Sequence, residues 1–123
     1  MNEAPHIRLA EERDVPRIVE LYRELTISDS HVEHSRNPSA ADYLRVFAEI
    51  RADPRQKLFV AEFQGEVVGT IELLVVPNLS HNGTPFAFLE NLTVTEKHRR
   101  RGLGRMLLKH AVGLARESEC HMV

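Results

Sequence analysis

"LENLTVTEKHRRRGLGRMLLKHAV" (residues 89–112) decides the reading of this chain. Its opening alternates as a strand does. Its close carries a helical face, with Leu103, Leu107, Ala111 and then Leu114 recurring every three or four residues. Between the two, four arginines surround two glycines in "RRRGLGR" (99–105). The first turn of a helix has backbone N–H groups without intrahelical partners and a partial positive charge. Glycines there let an anion approach the backbone with no Cβ in the way. Arginines add bidentate reach to phosphate oxygens. The stretch therefore reads as an anion cradle. A dinucleotide fingerprint fits worse, because its third glycine position is Leu107, and the G-K-[ST] of a P-loop is absent. A solvated basic turn capping a helix, and a basic arm for nucleic acid through Lys97–Arg105, are the competing readings.

Bulk properties narrow the choice. The chain has 123 residues, enough for one domain with a core. It carries 18 acidic against 16 basic residues, without the basic excess of a general nucleic-acid binder. No apolar run approaches the ~20 residues of a membrane span. The acidic start "MNEAPHIRLAEERD" lacks the apolar stretch of a signal peptide. With Cys120 as the single cysteine no intrachain disulfide forms, and a cytoplasmic location is expected. The sequons at Asn78, Asn82 and Asn91 then read as chance matches.

Outward from the quoted stretch, "HIRLA" (6–10) predicts a strand. Asp14 is positioned to cap a helix with Pro16 in its first turn and Ile18, Leu21, Tyr22 and Leu25 on its apolar face. Residues 26–38 are polar and aperiodic and read as a loop or a frayed helix end. Ser39 and Asp42 form a capping box for a helix presenting Tyr43, Leu44, Phe47 and Ile50 inward. "KLFVAEF" (57–63), "VVGTIELLVV" (67–76) and "FAFLENLTV" (86–94) are strands. "QGE" (64–66) is a tight turn with Gly65 at positive φ, and residues 77–85 form a second turn. "CHMV" (120–123) reads as the first residues of a further strand. The fold class is one α/β domain with a mixed central sheet flanked by helices: a meander of three strands, then a parallel strand joined by a crossover helix.

The same stretch resembles the acyl-CoA-binding motif of the GNAT superfamily of N-acetyltransferases. That pattern is a strand ending in Val, then [QR]-x-x-G-x-[GA] opening a helix. Here these are Val94 and Arg99-Arg100-Arg101-Gly102-Leu103-Gly104. The order of the earlier elements agrees as well, so the resemblance covers nearly the whole chain. It implies acetyl transfer from acetyl-CoA to a primary amine by direct attack in a ternary complex. It implies that N–H groups from Arg100 to Arg105 hold the coenzyme A pyrophosphate, and that the strand end Leu92-Thr93-Val94 meets the pantetheine arm through the backbone of Leu92 and Val94. Cofactor-binding candidates are thus Leu92, Thr93, Val94, Arg99, Arg100, Arg101, Gly102, Leu103, Gly104 and Arg105. The resemblance further implies two more strands and a closing helix after "CHMV", so residues 1–123 read as a GNAT domain cut at the start of its fifth strand. A homodimer is common in the family.

An alkyl amine with a pKa near ~10.4 must lose a proton before it attacks. Glu90 is the candidate base. Strict alternation sets it in the row Phe86, Phe88, Leu92, Val94, where apolar neighbours would desolvate it. A bulge would re-phase that row. The resemblance also places Glu before the final Val of this strand. Its usual general acid is a tyrosine on a later helix, and none is assigned here. "HVEH" (31–34) offers His31, Glu33 and His34, too few for zinc, so no metal is expected. Cys120 reads as a small buried residue. A non-catalytic acyl-CoA-binding module is the alternative function, with nucleic-acid contact a third.

Overall fold

A computed structural model describes residues 4–26 and 38–120 of the chain. Its elements are β1 (His6–Leu9), α1 (Val15–Thr26), α2 (Ala40–Ala52), β2 (Gln56–Phe63), β3 (Glu66–Val76), the single turn α3 (Ser80–Gly83), β4 (Phe86–Val94) and α4 (Leu103–Glu117). The strands form one sheet in the order β1-β2-β3-β4, and every neighbouring pair is antiparallel. The predicted meander is therefore β2-β3-β4, with β1 added beside β2. Of the parallel strand expected over residues 120–123, Cys120 is not in a strand and residues 121–123 lie outside the described residues.

Local chemistry fixes the turns. Gln64 and Gly65 both lie at positive φ (51° and 77°), the two-residue hairpin geometry that matches strand twist. In α3, His81, Asn82 and Gly83 are all left-handed, so this segment is a turn, as its composition predicts. Ser39 caps α2: its Oγ accepts from Asp42 N–H at 3.2 Å, and Asp42 Oδ2 accepts from Ser39 N–H at 2.8 Å.

Helices cover both faces of the sheet. On one, Leu103, Leu107, Ala111 and Ala115 of α4 pack on Phe59, Ala61, Val68, Ile71, Leu73 and Ala87. On the other, Ile18 and Leu21 of α1 and Phe47 of α2 pack on Leu58, Val60 and Val67. The central strands are buried on both sides, which is why "LFVA" and "VVGTI" read as unbroken apolar runs. Gly69 allows α4 to approach: a Cβ there would lie 3.0 Å from Leu107 Cδ1 and 3.1 Å from the Thr93 carbonyl oxygen.

Two expectations change. Asp14 does not cap α1. A short 3₁₀ turn (Glu12–Asp14) precedes the helix, and Asp14 accepts the Glu11 N–H at 2.7 Å while both its oxygens receive the Arg8 guanidinium, at 2.7 and 3.0 Å. Burial pushes the Asp14 carboxyl up, but Arg8 and the Glu11 N–H outweigh it and hold the group below the ordinary range. Leu44 is exposed rather than inward, because α2 turns Tyr43, Phe47 and Ile50 to the sheet. Leu25 lies outside the described side chains. Among the described residues, no helix is long and apolar enough to cross a membrane.

Candidate active site

β4 carries a bulge where the site begins. Thr93 pairs with Thr70 and Glu90 with Glu72, so Asn91 and Leu92 together oppose Ile71. Asn91 takes a positive φ of 55° to make the bend. The extra residue re-phases the strand. Ala87 and Leu89 face α4 before the bulge, and Val94 takes that face after it. Glu90 therefore shares a face with Phe88 and Glu72 and not with Val94, against strict alternation.

Beyond the bulge the backbone is turned in a useful direction. Thr95 N–H donates to the Val68 carbonyl at 2.8 Å. Successive residues of a strand point their backbone groups to opposite edges, so Leu92 and Val94 present theirs to the free edge of β4. Among the described residues no strand pairs with that edge. Thr93 is buried and its backbone faces β3, so it holds the strand instead of fronting the edge.

The basic bend is fastened from beneath. Arg99 Nε donates to the Val94 carbonyl at 2.9 Å, and its Nη2 lies 4.0 Å from Glu24 of α1. Glu24 also accepts from Thr95 Oγ1 and from Glu96 N–H, each at 3.1 Å. Arg99 is thus a tether, although its side chain is exposed, as are those of Arg100, Arg101 and Arg105. Arg100 (φ 67°) and Gly102 (φ 81°) are left-handed and turn the chain twice before α4 starts. Leu103 buries its side chain in the core and leaves only its backbone to the bend.

The start of α4 is open. Gly102 supplies no side-chain cap and the first turn holds no acidic residue. The Met106 N–H bonds to the Gly102 carbonyl at 3.0 Å, so the N–H groups of Leu103, Gly104 and Arg105 precede the intrahelical ladder. A Cβ on Gly104 would sit 3.9 Å from Val94 Cγ2, an ordinary contact. The helix start therefore adjoins the strand end, and packing alone does not demand glycine at 104.

Glu90 is exposed, and its cross-strand neighbour is another carboxylate, the half-buried Glu72. Desolvation by an apolar row is not what the fold supplies there. Behind Glu72 a cavity opens between α1, α2 and the sheet, with Tyr22 and Tyr43 in its wall. Burial, then the charge of Glu72, pushes the Tyr22 phenol up to about 12 against a bond from Thr70 that lowers it. Burial also pushes the Cys120 thiol up, consistent with a protonated, packed residue. Among the described residues no group of three His, Cys, Asp or Glu side chains is placed to hold a metal, and His31, Glu33 and His34 lie outside them. Glu24 and Glu72 escaped sequence reasoning. Glu72 had a signal, as the single charge inside the run "VVGTIELLVV"; Glu24 had none.

An antiparallel sheet with a bulge at its open edge thus lies beside an uncapped helix start. The chain belongs to the acetyltransferase (GNAT) family, whose model matches residues 15–123. It is accordingly an N-acetyltransferase by class, in a family that uses acetyl-CoA as donor. It is 29% identical over 119 residues to a glucosamine 6-phosphate N-acetyltransferase of Trypanosoma brucei brucei, covering 95% of this chain and 76% of that one. Its fold matches the structure named "Putative acetyltransferase" from Agrobacterium tumefaciens str. C58 with a TM-score of 0.82 at 36% identity, over 96% of this chain and 78% of that one. A transcriptional regulator from Bacillus halodurans C-125 superposes with a TM-score of 0.85 at 28% identity, over 97% and 79% of the two chains.

Proposed function

We propose that this chain transfers the acetyl group of acetyl-CoA to a primary amine by direct attack within a ternary complex. One observation carries the reading: the uncapped start of α4 lies against the end of β4, whose outer backbone groups face an unpaired edge. A pyrophosphate satisfies the N–H groups of Leu103 to Arg105 and draws on Arg100, Arg101 and Arg105. An amide-bearing arm pairs with the outer backbone of β4. The Val94 carbonyl is held by Arg99, so its N–H and the Leu92 groups remain for that arm.

In the reaction, the neutral amine nitrogen attacks the thioester carbonyl carbon, the C–S bond breaks, and the proton shed by the new amide nitrogen goes to the departing coenzyme A thiolate. The ammonium proton passes to Glu90, directly or through water. Glu90 stands beside the bulge, where the strand edge turns outward, and its exposure gives water access to it. The test is a calorimetric titration with acetyl-CoA followed by thiol release over a panel of amines. We expect binding, thiol release, and a Glu90→Gln variant that keeps acetyl-CoA affinity while its rate drops and its pH profile changes. An unaltered profile removes Glu90 from the mechanism. Binding without thiol release from any amine identifies a non-catalytic acyl-CoA module instead.

A further inference from the structure

We infer that the cavity between α1, α2 and the sheet is the acceptor pocket, and that Glu72 selects in it a primary ammonium on an apolar body over a phosphorylated amino sugar. The inference rests on the acetyl-transfer reading above and names the substrate class for it. The cavity has a volume of about 310 Å³, at the small end of ligand sites. Its walls are apolar, from Ile18 through Phe47 and Ile50 to Leu58, with Tyr22 and Tyr43 among them. Among the described residues Glu72 is the one ionic group in its lining, and no cation joins it. Asn91, the bulge residue, also lines it, so the cavity reaches the strand position next to Glu90.

Glu72 is set up to receive a donor. The Gln56 side-chain amide donates to its Oε1, which fixes the carboxylate and leaves Oε2 for a second donor. Glu72 and Glu90 sit directly opposite on neighbouring strands, an arrangement of like charges that destabilises an antiparallel pair. An ammonium between them reverses that repulsion, and its three N–H donors suit two carboxylates. The same step delivers the amine to the proposed base. The Tyr22 phenol stays protonated and neutral beside it and adds no competing charge. An apolar body then fills the remaining volume. A phosphate group meets the opposite situation, since it would be desolvated beside a carboxylate with no compensating cation in the described lining.

The test compares 2-phenylethylamine with glucosamine 6-phosphate as acceptors, by thiol release with saturating acetyl-CoA, in wild type and Glu72→Gln. The glutamine keeps an oxygen for the Gln56 bond, so the fold is retained. A parallel assay reads the thermal shift caused by 2-phenylethylamine alone. We expect a preference for 2-phenylethylamine of about tenfold or more in kcat/KM, the ratio that follows from one well-made ionic contact. In Glu72→Gln, KM for that amine rises by a similar factor, more than kcat falls, and acetyl-CoA affinity is unchanged. Preference for glucosamine 6-phosphate, or an unmoved KM in Glu72→Gln, overturns the pocket while leaving acetyl transfer in place. A thermal shift that disappears in Glu72→Gln, with no thiol release from any amine, supports the pocket and overturns the transfer reading. Absence of both signals overturns both.

Discussion

Removing the Glu24 carboxylate should loosen the whole basic bend, although Glu24 lies on α1, outside the motif. Its oxygens accept the Thr95 hydroxyl and the Glu96 N–H, each at 3.1 Å, and approach Arg99 at 4.0 Å. Thr95 is 6% exposed, so Glu24→Ala strands a buried hydroxyl. That costs about 1–3 kcal/mol, whereas the Glu96 N–H is exposed and can turn to water. The Arg99 pair is solvent-screened and contributes about 0–1 kcal/mol. Glu24→Ala should therefore lose about 2 kcal/mol in urea unfolding, and Glu24→Gln, which keeps an acceptor oxygen, less than half of that. Because the bend must be ordered before it can hold an anion, acetyl-CoA affinity by calorimetry should fall about fivefold to tenfold in Glu24→Ala. If both variants unfold and bind like the wild type, α1 does not hold the bend and the reasoning fails.

Three further outcomes follow from other contacts. Gly102→Ala has open space for its Cβ but must keep φ at 81°, so it should lose about 1–2 kcal/mol, and Gly102→Asn, which tolerates that conformation, should recover part of it; equal melting temperatures would refute this. Gly69→Ala should lose about 1–3 kcal/mol by overpacking, because the Thr93 carbonyl at 3.1 Å is backbone and cannot rotate away; thermal melting measures it, and an unchanged midpoint counts against the close approach of α4. The Asp14 carboxyl is depressed in the folded chain, so the unfolded chain takes up its proton first as pH falls. Its stabilisation is present above the ordinary carboxylate value of ~3.9 and is lost as pH drops through the lower folded value. Asp14→Asn should be less stable at pH 7 and show a flatter loss between about pH 5 and 2 in urea midpoints. A parallel slope would remove Asp14 from the acid response.

Much of this molecule is legible before it is folded. The period of four in Leu103, Leu107 and Ala111 names the buried face of α4, and all three are buried. Gly65 marks the hairpin and Ser39 with Asp42 marks the start of α2, because turn and cap chemistry act over a few residues. "RRRGLGR" is legible as a bend between a strand and an uncapped helix for the same reason: a strand end, left-handed glycine and helix start are contiguous in the chain. Misreadings occur where a partner on another element, or a change of strand phase, takes over. Asp14 looks like a helix cap, yet Arg8 on β1 claims both of its oxygens. Glu90 looks desolvated by its alternating neighbours, yet the bulge moves Val94 to the other face and brings Glu72 opposite.

The sequence by itself determined the main elements, the Ser39 cap of α2 and the motif that places this chain in its family, since each depends on backbone groups a few residues apart. Only the tertiary structure decided that Arg99 is a tether, that Glu24 of α1 holds the bend, and that Glu72 joins Glu90 at the bulge. The Glu24 and Glu72 pairings join residues 72 and 18 positions apart, and they are set by helix packing and strand register. No local pattern of residue types encodes a register, because it emerges when all the strands find one buried arrangement together.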